Sequence, residues 1–180
     1  GKGANLRALG FEPSGASRVA LRFLNTSYLW DKVRVQGGAY GGSSRLDPVS
    51  GNFAFLSYRD PNLLKTIDVY DGAAKALRAG IGEQDLVRSV IGVVGDLDRP
   101  EFPDAKGYSA MWRMLNGTTD ELRQQRRDEI LGTSQADFAA LADALEAVAE
   151  KGHVVVLGGE AAINAANEQR PGLLKVTKVQ

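Results

Sequence analysis

Arg34 and Tyr40 stand six positions apart, on either side of Gly37-Gly38. A guanidinium and a phenol both donate hydrogen bonds to oxygen. Together they can hold a substrate carbonyl, or stabilise the oxyanion that forms from it, and one such donor is worth about 2.7–4 kcal/mol in a transition state. The intervening glycines carry no side chain, so a substrate backbone could approach closely. A structural alternative stands beside this. An arginine in the last turn of a helix interacts favourably with the helix dipole, by about 0.3–1 kcal/mol. Tyrosine favours strands, and paired glycines permit a sharp helix-to-strand turn. Neither residue is a nucleophile or a good base at neutral pH. The chain has no HExxH or HxxEH element, no Ser/His/Asp set in a supporting context and no cysteine. On residues alone it is therefore a binding or structural module, or one part of a larger active site.

The totals narrow the field further. At 180 residues the chain fits a single domain. Lys+Arg and Asp+Glu are both 22, so no basic excess points to nucleic acid or an anionic membrane. A single histidine, His153, rules out a multi-histidine metal site built from this chain alone. No apolar run approaches the roughly 18 residues of a membrane span. The opening Gly1-Lys2-Gly3-Ala4-Asn5 has no signal pattern and no initiator methionine, which suggests a fragment or a processed piece.

The elements that must position Arg34 and Tyr40 follow from the pattern. Residues 1–13 read as a loop leading to a first helix capped by Ser14 or Ser17. Leu21, Leu24 and Tyr28 recur at helical spacing, and Phe23 and Trp30 widen the apolar face. That helix is expected to run on to about Val35 and stop at Gly37-Gly38. A hairpin follows, with strands Ala39–Leu46 and Asn52–Tyr58 joined by Asp47-Pro48-Val49-Ser50-Gly51, a turn sequence. Both faces of the second strand are apolar, so it is expected to be central and covered on both sides.

Asp60-Pro61 has the form of a helix start. Leu63, Ile67, Tyr70, Ala74 and Leu77 then form one stripe, closed by Gly80. A third helix carries Leu86, Val90, Val93 and Leu97. The acidic group Asp96, Asp98 and Glu101 is read as a solvated loop, not a metal site. Asp104 opens a short helix with Tyr108, Met111, Trp112 and Leu115, ended by Asn116-Gly117. Thr118 to Glu121 has capping-box spacing, and the helix beyond mixes arginines with acids as a solvated face does. Ser134 and Asp137 open a helix with stripe Phe138, Leu141, Leu145 and Val148, closed by Gly152. His153–Leu157 reads as a short buried strand, with His153 structural or exposed. Gly158-Gly159 lacks the dinucleotide spacing GxGxxG. An Ala-rich helix to about Glu168 and an edge strand from Leu173 to Val179 finish the chain. The order predicts an α+β fold, an antiparallel sheet covered by helices.

The long stretch Leu29-Trp30-Asp31-Lys32-Val33-Arg34-Val35-Gln36-Gly37-Gly38-Ala39-Tyr40-Gly41-Gly42 resembles the C-terminal region of presequence proteases, in the pitrilysin/insulinase family of zinc metallopeptidases. Leu56–Thr66, Ile91–Asp96, Pro103–Tyr108 and the opening Gly1–Leu6 resemble the same family, in order along nearly the whole chain. The resemblance implies a pitrilysin-type domain that lacks its first strand. Residues 1–180 would be the single C-terminal domain of a longer, multi-domain chain. It implies a closed chamber in which unfolded peptides such as targeting presequences are cleaved. Zinc would sit in the N-terminal half of the enzyme, held by an HxxEH motif absent here, so this chain alone would be inactive. The family's substrate and transition-state residues map onto Arg34 and Tyr40, and Gly37, Gly38 and Ala39 between them would border the substrate.

The expected partners are peptide substrates and the N-terminal half of the same enzyme, with no nucleic acid and no membrane. Relatives of this fold that have lost zinc serve as structural or partner subunits, and that is the alternative. A small-ligand domain built on the glycine turns is a weaker third, for want of phosphate-loop spacing. A bacterial cytoplasm is the first expectation for the compartment, with the mitochondrial matrix or plastid stroma as the alternative.

Overall fold

Phe53 and Phe55 alternate inward along one strand and pack edge to face, with ring centroids 4.8 Å apart. Phe55 in turn stacks on Tyr70 at 4.9 Å. This aromatic group joins the sheet to the helices of the computed structural model, which describes residues 1–178. The sheet has four strands in the order β2-β3-β1-β4. They are β1 (Lys2–Asn5), β2 (Gly41–Leu46), β3 (Asn52–Tyr58) and β4 (His153–Val154), and every neighbouring pair is antiparallel. Helices α1 (Gly15–Thr26) and α7 (Gln135–Lys151) pack against one face of it, and α2 (Leu64–Asp71) and α3 (Ala73–Arg78) lie against α7. The fold is α+β, as the element order implies.

The core stripes fall where spacing puts them. Phe138, Leu141, Leu145 and Val148 of α7 are all buried, and so are Ile67, Tyr70, Ala74 and Leu77 across α2 and α3. The remaining helices are α4 (Glu83–Leu97), α5 (Pro103–Leu115), α6 (Asp120–Leu131) and α8 (Glu160–Gln169). Ser14 and Ser17 share the cap of α1, each side chain bonded to the other's backbone N–H. Ser134 with Asp137 caps α7 in the same reciprocal way. Thr119, one residue later than its spacing suggests, caps α6.

Several expectations are corrected. Residues 1–13 are not all loop, because Lys2–Asn5 forms β1 between β3 and β4. Its sequence has no apolar alternation to betray a strand. The Lys2 side chain is buried because its ammonium donates to Asp71 Oδ1 at 2.6 Å and to the Ala149 carbonyl at 2.7 Å. A side chain at Gly3 would strike the Phe53 carbonyl of the adjoining strand. The first helix does not reach Val35. It ends at Thr26, where Thr26 and Ser27 hydroxyls donate to the carbonyls of Arg22 and Phe23 and compete with the helix. A π-helix, Trp30–Val35, then carries the chain on. The first hairpin strand begins at Gly41, not Ala39.

β3 has its predicted bounds and is central, but only one face is covered: Leu56, on the other, is 41% exposed. Asp60-Pro61 does not start a helix. The Asp60 carboxylate accepts from Asn62 N–H and from the Thr66 hydroxyl, and α2 begins only at Leu64. Leu97 is exposed at the end of α4. The strand expected over His153–Leu157 is two residues long at the sheet edge, and Leu157 is 90% exposed. Residues 173–178 form no strand, and Val179 lies outside the described residues. Asp96, Asp98 and Glu101 are solvent-exposed, as read, but Asp96 lies in α4, not in a loop, and Asp96 and Asp98 form surface ion pairs with Arg22 and Arg127.

Candidate functional site

The turn between Arg34 and Tyr40 is tied down by its own backbone. Val33, buried in the core, accepts from Ala39 N–H at 3.2 Å, and Arg34 accepts from Gly38 N–H at 2.9 Å. Gly38 has φ 78°, which a side-chain-bearing residue adopts only with strain. From outside, the Asn62 amide donates to the Gly37 carbonyl at 2.5 Å. Tyr40 N–H donates to the Arg59 carbonyl at 3.3 Å, fastening the turn to the end of β3. The Ala39 side chain points into the core, while Gly38 is exposed.

Both candidate side chains project from this anchored backbone. Tyr40 is 66% exposed. Its ring meets Tyr58 edge-on at 6.1 Å between centroids. The Arg34 guanidinium lies 4.1 Å over the Trp30 ring, one helical turn back. Thus the two sit at opposite ends of one turn with different neighbours, and no hydrogen bond joins them among the described residues.

Two further residues belong to the cluster. Gly41 pairs with Tyr58 across the hairpin, which brings the Tyr58 ring beside Tyr40. The Arg59 guanidinium lies 5.9 Å from the Tyr40 ring centroid and 5.4 Å from that of Tyr58. Arg59 is also the one non-glycine residue with positive φ (47°) among the described residues, a conformation that costs about 1–2 kcal/mol in an L-residue. Sequence spacing does not show this grouping, because it depends on the register of the hairpin. The signal available was that Tyr58-Arg59 lies inside the Leu56–Thr66 stretch that carries part of the resemblance.

Chemically, the arrangement offers hydrogen-bond donors on a fixed backbone at one end of the sheet. It offers no attacking group. No set of three or more His, Cys, Asp or Glu side chains among the described residues could hold a metal ion. Among the described residues there is thus no side-chain group that fits zinc. Nor is any helix among those residues long and apolar enough to cross a membrane.

Comparison with known proteins gives the chain a family. The family model described as "PreP C-terminal domain" matches residues 1–160. The chain is 46% identical over 179 residues to "Presequence protease 1, chloroplastic/mitochondrial" of Arabidopsis thaliana, covering 99% of this chain but 17% of that protein. It is 32% identical over 160 residues to "Protein HypA" of Clostridium perfringens, covering 88% of this chain and 16% of the relative. With "Presequence protease, mitochondrial" of Danio rerio it shares 34% identity over 122 residues, 67% of this chain and 12% of the relative. The chain thus spans no more than about a sixth of the length of these relatives. On a match over this much of its length, the chain belongs to the PreP C-terminal domain family.

Proposed function

We propose that this chain is the C-terminal part of a zinc-dependent endopeptidase that degrades unfolded, presequence-like peptides in a closed chamber. In this reading Tyr40 donates its phenolic O–H to the scissile carbonyl oxygen as it becomes an oxyanion. Arg34 holds a neighbouring carbonyl of the substrate, and in the turn Gly37-Gly38-Ala39 the exposed Gly38 lets the peptide backbone come close while buried Ala39 anchors the turn. Zinc, supplied by the N-terminal half, would activate the attacking water. Because that half lies outside this chain, the chain alone is inactive. Chamber closure would bring the two halves together and gate turnover.

The observation that carries the reading is the exposure of both donors on a backbone tied at Val33, Asn62 and Arg59. A preorganised donor of this kind needs no rearrangement at the moment of reaction. The matching proteins from plant and fish are named as proteases of chloroplasts or mitochondria. Those names favour the organelle alternative over a bacterial cytoplasm for the compartment.

The test is Tyr40→Phe in the longer enzyme, assayed on an unfolded peptide. Loss of the hydroxyl should lower kcat by roughly 10²–10³ with KM little changed. Unchanged turnover would sink the assignment. It would favour the second reading, a partner or structural subunit of the same fold.

A further inference from the structure

Five arginines surround one cavity on the helical side of the molecule, in a chain whose net charge is zero. The cavity is about 480 Å³ and lies where α1, α4, α5 and α6 converge. Arg18 comes from α1, Arg113 from α5, and Arg123, Arg126 and Arg127 from α6. The acids in its wall are Asp98 and Asp120. Both are already engaged. Asp98 accepts two bonds from Arg127, at 2.6 and 2.7 Å, and Asp120 accepts one from Arg123 at 2.8 Å.

That leaves Arg18, Arg113 and Arg126 with no ion pair or side-chain hydrogen bond among the described residues. For two of them an opposing charge outside the wall acts at longer range. Asp96 acts on Arg18, though its bond goes to Arg22, and Arg126 acts on Glu12, though that carboxylate is bound to Arg7. Partial desolvation and the like charge of Arg126 pull Arg18, whose side chain still reaches solvent, below the ordinary guanidinium value. Like charges gathered in a concavity repel one another, and a bound anion relieves that repulsion.

We propose that this cavity binds a small multivalent oxyanion. Three guanidinium forks from three helices converge without partners, and each matches two oxygens of a phosphate or carboxylate group. The volume falls within the range of about 300–1,000 Å³ seen for small-ligand sites. Its wall is built from the helical layer, whereas Tyr40 and Arg34 project from the hairpin and the π-helix, so the site stands apart from the catalytic reading and does not depend on it.

The test is isothermal titration calorimetry of the longer enzyme that carries this chain, with tripolyphosphate and, separately, citrate, in about 100 mM NaCl. The two titrants distinguish a phosphate source from a carboxylate source. A single saturable site for at least one of them is expected. The Arg18→Gln/Arg126→Gln pair should weaken it at least tenfold, whereas Arg45→Gln on the exposed sheet face should leave it unchanged. Should the double variant fail to fold, Arg113→Gln replaces it, since α5 buries none of its side chains. That single change should weaken binding at least threefold. No saturable binding of either anion, or binding indifferent to these changes, overturns the proposal.

Discussion

Tyr40 and Tyr70 show how position decides the chemistry of one side-chain type. Tyr40 stands at the open end of the hairpin, edge-on to Tyr58 and free to meet a ligand. Tyr70 lies stacked beneath Phe55, and burial pushes its hydroxyl up to about 12, with Ser57 pulling the other way. Below about pH 10 the proton stays on in both folded and unfolded chains. Between about pH 10 and 12 the unfolded chain loses its proton first, so the folded state binds more protons and stability falls as pH rises. The expected slope from this group is at most about 1.4 kcal/mol per pH unit. Urea unfolding of Tyr70→Phe should show a shallower loss across that window, and an unchanged slope would remove Tyr70 as its cause. Residue types at 34 and 40 were legible as candidate donors from spacing alone. Tyr58 and Arg59 were not, because their place beside Tyr40 follows from the pairing of Gly41 with Tyr58, which no local pattern specifies.

Elements with a marked apolar stripe or a clear stop signal were legible whether or not they bury that stripe: α5, which buries no side chain, was read from its spacing and from Asn116-Gly117 at its end. Phe53 and Phe55 gave β3 its bounds, and the stripe from Phe138 to Val148 gave α7. By contrast β1 escaped, since its central place rests on a glycine admitting a close neighbour and on a lysine whose charge is matched. The break after Thr26 escaped as well. It depends on hydroxyls turning back onto their own helix, a choice that the periodicity of leucines does not record. At the other end of α1, Ser14 accepts from Ser17 N–H at 3.2 Å. Ser14→Ala should lower stability by about 1 kcal/mol, read as a lower urea midpoint with an unchanged m-value. A neutral result would mean that the Glu129 carboxylate, which accepts from Gly15 N–H at 2.6 Å, holds this helix end unaided.

Across the whole molecule, the link between the first strand and the helical layer runs through one charge. Lys2 is 6% exposed, and its ammonium bridges Asp71 at the end of α2 and the Ala149 carbonyl of α7. Asp71 is about a third exposed, so water offsets part of its loss. Asp71→Ala should still cost on the order of 2–3 kcal/mol, below the roughly 3–5 kcal/mol of a fully buried pair, because it strands an ammonium in the core. Lys2→Met removes the charge and keeps the apolar stem, so its cost should be clearly smaller. Equal losses in denaturant titrations would refute an uncompensated charge as the cause. What no reading of this chain could supply is the other side of the proposed active site. Its relatives are about six times longer, and the metal chemistry proposed for the enzyme has no candidate ligand group among the described residues to betray it.

The π-helix at Trp30–Val35 sets a rule for how this chain tolerates insertion and deletion. A π-turn holds one more residue than an α-turn of the same reach. Deleting a residue there would let the segment relax to ordinary helix with its two flanks still nearly in phase, because the wide turn absorbs that residue. The same deletion within α1 would turn one flank against the other by about 100°. A one-residue loss is therefore expected to be tolerated better between Trp30 and Val35 than anywhere in the helix before it.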